Sequence, residues 1–318
     1  MQTQYKVSVV VITYNPSEEK LQQTLRSILL QKHIAFQIVI ADDGSIAPCF
    51  QAAEALFTQY GFKDYVIVAN PQNRGTVYNV LSGVQACCGE YVKVISPGDM
   101  LNGENILHNW VTETENTQAQ LSFSDAVCYA VENGAPQLRQ GKAYPQTVTC
   151  YLEQEAEQIR WNYLIFEDLM LGAAVVCLRQ VLLSYLQEIS GKVVYAEDNA
   201  YRLMAYDGIK MHYFPVDAII YELGTGISTS GNDVWKVRLT KDWNACTEIL
   251  LKRCAGKDPL DRALLTAAKG NIHKKAVKLW RMITDKKAQQ YWQTRKKLRT
   301  TGQVLPEDFL KQISTTKA

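Results

Sequence analysis

A chain of 318 residues with 47% hydrophobic and 21% charged side chains has room for one large α/β domain plus an appendage and is too apolar for extensive disorder. No window approaches the roughly 18 uninterrupted apolar residues of a spanning helix. Met1–Lys6 lacks the make-up of a signal peptide, so the expected location is cytoplasmic or peripheral on the inner face of a membrane.

The formal charge of +2 hides a split: residues 233–318 hold 20 Lys and Arg against 8 Asp and Glu, and the first 232 residues hold 14 against 24. This predicts an acidic body (1–232) with a basic helical attachment (233–318).

Val7–Ile12 is nearly all β-branched and stops at Thr13-Tyr14-Asn15-Pro16. Such runs predict strands buried on both faces, as in a parallel sheet. Ser17–Lys20 opens a helix with Leu21, Leu25, Ile28 and Leu29 at helical spacing. A second strand, Gln37–Ala41, ends at Asp42-Asp43-Gly44-Ser45, and a helix over 48–60 ends at Gly61. The strand Asp64–Ala69, the turn Asn70–Gly75 and the helix Val77–Ala86 follow, then a fourth strand, Glu90–Ile95, ending at Ser96-Pro97-Gly98-Asp99. Strand–helix alternation with short connections predicts right-handed βαβ units. In open α/β sheets ligands sit outside the carboxyl ends of the strands, so the polar clusters are candidate site residues by position. Neither Gly-x-Gly-x-x-Gly nor a Walker run is present, which excludes the dinucleotide and P-loop readings.

Beyond residue 100 the pattern predicts a helix over 101–115, a strand over Leu121–Val131 and a turn at Glu132-Asn133-Gly134. Residues 133–150, with Gly134, Pro136, Gly141 and Pro145, read as an irregular active-site loop. Gly172–Cys177 precedes a helix near 179–189, Tyr195-Ala196-Glu197-Asp198 opens another, and Met211–Tyr221 is the last strand. From Asp233 the chain reads as helical, broken near Asp258-Pro259 and Gly302–Pro306. The eight cysteines could pair, but without a secretion signal they read as reduced thiols; no Cys-x-x-Cys occurs and the four histidines are scattered.

Val-Val-Ile-Thr-Tyr-Asn-Pro (10–16), Ala-Asp-Asp-Gly-Ser (41–45), Asn-Arg-Gly (73–75), Gly-Glu-Tyr (89–91), Ser-Pro-Gly-Asp (96–99), Glu-Asp (197–198) and Gly-Thr-Gly-Ile-Ser (224–228) stand in the order seen in family 2 glycosyltransferases. Over about residues 5–230 the chain resembles that family. The resemblance implies a GT-A fold, a Rossmann-like, mainly parallel mixed sheet flanked by helices, and an inverting enzyme. The implied reaction moves a sugar from a nucleoside-diphosphate sugar, UDP-linked first of all, to a glycan or lipid-linked acceptor in surface polysaccharide synthesis. It also implies that Thr13, Tyr14 and Asn15 line the base pocket and that the Asn73–Arg74 loop surrounds the nucleotide.

The chemistry of the residues agrees. Asp42 and Asp43, at a strand end, can accept hydrogen bonds from base and ribose; a solvated Asp-Gly turn is the bland reading of the same residues. Release of a diphosphate calls for charge neutralisation, which Mg²⁺ or Mn²⁺ supplies when carboxylates hold it. The family places Asp-x-Asp after the fourth strand. Here Ser96 and Gly98 stand at the first and third places, which leaves Ser96 as a donor contact and Asp99 as the metal ligand, with His212 as a further one. Inversion needs a base on the face opposite the leaving group; Asp198 matches that base, with Glu197 orienting it or meeting the acceptor. Two acids at a helix start would also complement the helix dipole. Glu167-Asp168 repeats the dipeptide and is given no base role. Trp161, Tyr163, Phe166 and Tyr195 are either acceptor platforms or core.

Between Lys269 and Arg299 stand eleven Lys or Arg and one acid, Asp285, with Ile272, Ala276, Leu279, Trp280 and Ile283 on one helical face. This predicts either a helix lying on an anionic membrane surface or an apolar face packed on the catalytic domain with its lysines in water. No nucleic-acid motif accompanies the charge. Two rivals remain. One is an inactive GT-A-like binding or scaffold subunit, motivated by the depleted acids at 96–99. The other is a sugar-phosphate nucleotidyltransferase, whose glycine-rich basic loop is replaced here by Pro16-Ser17-Glu18-Glu19.

Overall fold

The computed structural model describes residues 5–224, 226, 231–296 and 299–314. The four N-terminal strands form as their β-branched runs predict: β1 (Val7–Thr13), β2 (Phe36–Asp42), β3 (Tyr65–Ala69) and β4 (Tyr91–Ile95), all parallel. Every residue of β2 is buried, whereas edge strand β3 is only partly so. The described residues complete a nine-stranded sheet with β5 (Met100–Leu101), β6 (Leu121–Glu132), β7 (Ala135–Leu138), β8 (Val175–Leu178) and β9 (Met211–Glu222). The order is β3-β2-β1-β4-β8-β6-β9-β5, with β7 on β6; β8 runs antiparallel between β4 and β6. The mixed, mainly parallel α/β sheet predicted from the sequence is thus present.

Alternate side chains of β1 feed two cores. Val7, Val9 and Val11 pack with α1 (Glu18–Leu29), α2 (Phe50–Tyr60) and α4 (Ile106–Asn116). Val10 faces the other core, with α3 (Thr76–Ala86), α6 (Ala156–Leu164), α7 (Arg179–Ile189) and α8 (Asn199–Tyr206). A four-residue helix, α5 (Thr149–Leu152), and a 3-10 turn (Gly172–Ala174) complete the body. Gly61 takes the left-handed C-cap of α2 at φ +64°, where glycine carries no Cβ penalty.

Two predicted elements are corrected. The helix read over 101–115 begins only at Ile106, because Met100–Leu101 pairs with β9 and the turn carrying Gly103 intervenes. The segment 133–150 is not wholly irregular: β7 pairs with β6 through a two-residue loop, Asn133 (φ +52°) and Gly134 (φ +77°). Positive φ at both positions is the type I′ hairpin that Asn-Gly favours. All eight cysteines are unpaired.

The C-terminal helices are α9 (Asp233–Arg253), α10 (Pro259–Ala267), α11 (Asn271–Thr284), α12 (Lys286–Lys296) and α13 (Glu307–Ser314). Their buried residues Cys246, Leu250, Leu260, Leu264 and Val277 belong to the same core as Val10 and Tyr201. A strap then crosses the β6–β9 pair. Arg299 donates to the Asp125 carboxylate and to Tyr213 Oη (2.8 Å), and the Gly302 amide bonds to Ala126 O at 3.0 Å. Leu305, Phe309 and Leu310 return to pack near Met100 and Leu30.

Candidate active site

The strand ends meet because register places Thr13 beside Asp42 and Asp42 beside Ala69. Asp42 is 2% exposed; its Oδ1 accepts from Thr13 Oγ1 (2.8 Å) and Ser45 Oγ (2.5 Å), its Oδ2 from the Ser45 amide (2.8 Å). A carboxylate offers about four acceptor positions, and these bonds use three of them on Asp42. Asp43 reaches the next loop, where its carboxylate takes the amides of Arg74 (2.9 Å) and Gly75 (2.8 Å). Asn15, in the left-handed region at φ +45°, bonds through its amide to Ser45 Oγ (2.6 Å) and through Oδ1 to the Ile46 amide (2.9 Å). Asn79 on α3 donates to Thr13 O and Ala41 O. The structure therefore brings Thr13, Asn15, Asp42, Asp43, Asn73 and Arg74 into one wall of interlocked loops. The Tyr14 ring stays exposed, and the Arg74 guanidinium lies 3.5 Å from the centroid of Tyr78.

Gly75 joins this wall to the opposite loop. Its φ is +93°, and a Cβ there would stand 2.5 Å from Val194 Cγ1 and 2.5 Å from Val194 O, which accepts the Val77 amide at 3.0 Å. A few residues beyond Val194, Glu197 and Asp198 stand half-buried at the start of α8. Asp198 caps no amide of α8 with its side chain and packs near Gly172.

Burial, and then the adjacent Asp198 carboxylate, push Glu197 up to about 8. Burial raises Asp198 as well, and the Arg202 guanidinium opposes that rise. Arg202 is held in place by Asn199 Oδ1, Trp243 O and Thr247 Oγ1 and lies 3.5 Å from the Trp243 centroid. A raised base is protonated at the low end of the neutral range and becomes competent as pH rises. Turnover should therefore climb with pH as Asp198 ionises and level before Glu197, held up to about 8, gives up its proton. A rate that declines over that interval would remove the pair from base duty.

The end of β4 departs from expectation. Asp99 is 6% exposed, and its Oδ1 accepts the Glu222 amide (3.0 Å) at the far end of β9. Glu222, also buried, pairs with Lys20 at 2.6 Å. Lys93, fully buried, donates to Val94 O (2.6 Å) and to Ala173 O. Burial pushes Asp99 up to about 7 and pulls Lys93 down to about 7, each charge partly sustaining the other. Two acids and two lysines balance. A divalent cation would have to displace Lys20 from Glu222, and a Cβ at Gly98 would lie 2.2 Å from Glu222 Oε2, leaving no room for an acid at that position. Ser96 supplies its carbonyl to the Asp99 amide. Among the described residues no group of three or more His, Cys, Asp or Glu could hold a metal ion, and the acids at this strand end, Asp99 and Glu222, stand beside Lys20 and Lys93. His212 stands near the start of β9 and Glu222 at its end, about ten residues apart at ~3.3 Å each, and His212 Nε2 lies 3.3 Å from Glu113 Oε1.

Trp161, Tyr163 and Phe166 are each 1% exposed and are core. Asp168 accepts the Gln146 and Thr147 amides, and Glu167 pairs with Lys274 and Lys278, so the second Glu-Asp dipeptide is structural. Tyr195 meets Trp235 edge-on at 5.0 Å, with the Arg238 guanidinium over both rings. Sequence reasoning missed Trp235, Arg238 and Asp242, because on a basic amphipathic helix they look like solvated side chains. Of Gly-Thr-Gly-Ile-Ser (224–228), Thr225, Ile227 and Ser228 lie outside the described residues.

Strand-end loops facing a half-buried acid pair on a mixed, mainly parallel sheet make a GT-A-like fold. Residues 8–97 match the model of the family described as Glycosyl transferase family 2. A stretch of 130 residues is 28% identical to the uncharacterized glycosyltransferase MJ1057 of Methanocaldococcus jannaschii, covering 40% of this chain and 43% of that protein. S. aureus TarS 1-349, solved in complex with UDP, shares the fold with a TM-score of 0.56 and 15% identity over 82% of this chain and 70% of its own. The mannosyltransferase PcManGT from Pyrobaculum calidifontis, in complex with GDP-Man and Mn2+, gives 0.55 and 14% over 93% of this chain and 81% of its own.

Proposed function

We propose that the protein is an inverting glycosyltransferase that moves a sugar from a nucleoside-diphosphate sugar, a UDP-sugar first of all, to a hydroxyl of a glycan or lipid-linked acceptor in surface polysaccharide synthesis. The observation that carries this is the juncture at Gly75 and Val194, where the strand-end wall touches the loop bearing Glu197 and Asp198. Tyr14, Asn15, Asp42 and the Asn73–Arg74 loop hold the nucleotide. Asp198 takes the proton from the acceptor hydroxyl as its oxygen attacks the anomeric carbon and the diphosphate departs from the opposite face. Glu197 keeps its own proton at neutral pH and so can donate a hydrogen bond to the acceptor.

A thermal-shift panel of nucleoside diphosphates and their sugars tests this, since stabilisation follows affinity. UDP or UDP-sugars should raise the melting temperature most; a panel in which no nucleotide shifts it removes the donor reading. Because the β4 end gathers only two acids, beside Lys20 and Lys93, the shift and the turnover should persist in EDTA. Loss of both on chelation, restored by Mn²⁺, would overturn that expectation. The inactive-scaffold reading is favoured only by the same charge-balanced quartet, and it requires nucleotide binding with no turnover in either condition.

The membrane reading draws support from α11. Its apolar face is turned outward: Ile272 is 81% exposed, Leu279 55%, Trp280 49% and Ile283 67%. Lys274, Lys278 and Arg281 point inward instead, to Glu167 and Glu157, with Arg281 4.1 Å from the Trp161 centroid. Exposed Lys269, Lys275 and Lys286 flank the outward face, which suits an anionic bilayer. Among the described residues no helix is long and apolar enough to cross a membrane. The protein should sediment with phosphatidylglycerol vesicles and not with phosphatidylcholine, and Leu279→Glu with Ile283→Glu should release it. A dimer in solution that those substitutions dissociate would assign the face to a second copy instead.

A further inference from the structure

We propose that Asp242, on helix α9, is the positioning residue of the Glu197–Asp198 pair. From the C-terminal region it fixes the loop that presents both acids and, through Val194, the loop that lines the donor wall. The inference rests on the proposed transfer reaction for its consequence, though not for its geometry. Asp242 is 2% exposed. Its Oδ1 accepts the Val194 amide at 3.0 Å, and its Oδ2 accepts the amides of Tyr195 (2.6 Å) and Ala196 (3.0 Å). Three consecutive N–H groups thus converge on one buried carboxylate, an arrangement that holds a backbone far more strictly than a single contact.

The held residues are the ones that matter. Val194 O takes the Val77 amide, and its side chain backs onto Gly75, whose own amide is tied to Asp43. Ala196 O receives the Asn199 amide and thereby starts the turn on which Glu197 and Asp198 stand. One side chain from outside the sheet therefore fixes both walls of the crevice relative to each other. Without it, the amides of 194–196 lose their acceptor, and the base loop is free to drift. A misplacement of about 1 Å costs on the order of 10²-fold in rate.

The negative charge has a second effect that a purely structural contact would lack. The groups facing the acid pair are Arg202 and Tyr201 on α8, Tyr163 on α6, and Cys246 and Asp242 on α9. Of these Asp242 is the one that raises both acids.

The test uses the full chain with Asp242→Asn and Asp242→Ala. Amide hydrogen exchange over 190–200 should quicken at least about tenfold at 194–196 in both variants while the sheet strands keep their protection. The kcat should fall by about 10²-fold, by more than the donor KM changes. In the Asn variant the pH at which the rate levels should move down, because the carboxylate that raises the pair is gone. Unchanged exchange at 194–196 overturns the clamp, whether or not the enzyme turns over. Quickened exchange with wild-type kcat and an unmoved pH profile overturns the catalytic consequence. A wild-type chain that transfers no sugar would instead strike the transferase reading and leave the exchange result to decide the clamp.

Discussion

Asp198→Asn should lower transfer by about 10²–10⁴-fold, the usual contribution of a positioned general base, while a nucleoside diphosphate still raises the melting temperature as in the unchanged protein. The amide has the shape of the carboxyl and can keep the bonds to its surroundings, but it cannot take the acceptor proton. The donor wall is made by Thr13, Asp42, Asp43 and the 73–75 loop, none of which depends on the Asp198 side chain. Binding and chemistry therefore separate. Glu197→Gln is the informative comparison: it should cost less, because Glu197 is the acid held up to about 8 and still carries its proton where Asp198 works. If Glu197→Gln proves the more damaging and Asp198→Asn turns over freely, the two roles exchange.

The second large effect is structural. Gly75→Ala should lower stability by about 2–5 kcal/mol, combining left-handed strain of ~1–3 kcal/mol with overpacking of similar size. The new methyl group would press on Val194 Cγ1 and O, each 2.5 Å away, at φ +93°. Neither neighbour can yield cheaply, because the Val194 amide is bound to Asp242 and its carbonyl to Val77. Gly61→Ala supplies the control: its φ is +64° and nothing lies within 4 Å, so it carries strain without contact. The Gly75 variant should therefore melt well below the Gly61 variant and lose its response to nucleotide. Equal melting of the two would show that the juncture tolerates a side chain and does not tie the loops together.

Much of this is legible in the chain. The N-terminal strands announce themselves because β-branched runs bury both faces, and the polar clusters that end them mark the crevice by position alone. Asn133-Gly134 also carries a hairpin signal, which the Pro and Gly content of the residues after it masks as irregular loop. Other features have no local signature. Asp242 looks like any acid on a charged helix; only the tertiary fold brings three amides to it. The period of α11 says which residues share a face and not what that face meets. Here Glu167, Glu157 and the Trp161 ring attract the cations inward, and ion pairing with stacking joins the burial of Val277. Asp99 stands at the metal ligand's place in a motif, but Gly98, at φ +102°, admits the Glu222 carboxylate into the space that an acid would fill.

The strap that carries Arg299 bears on how the molecule is made. Asp125 and its partner are 174 positions apart, so the irregular stretch of the β6–β9 pairing is covered by a segment that leaves the ribosome long after the strands it meets. Contacts of such long range slow folding, and until residue 302 emerges the nascent body presents an unfilled slot at Asp125, Tyr213 and the Ala126 carbonyl. Synthesis thus completes the body late: the strand-end loops of the N-terminal half can assemble while still tethered, yet the finished body awaits a short stretch of chain from the opposite end.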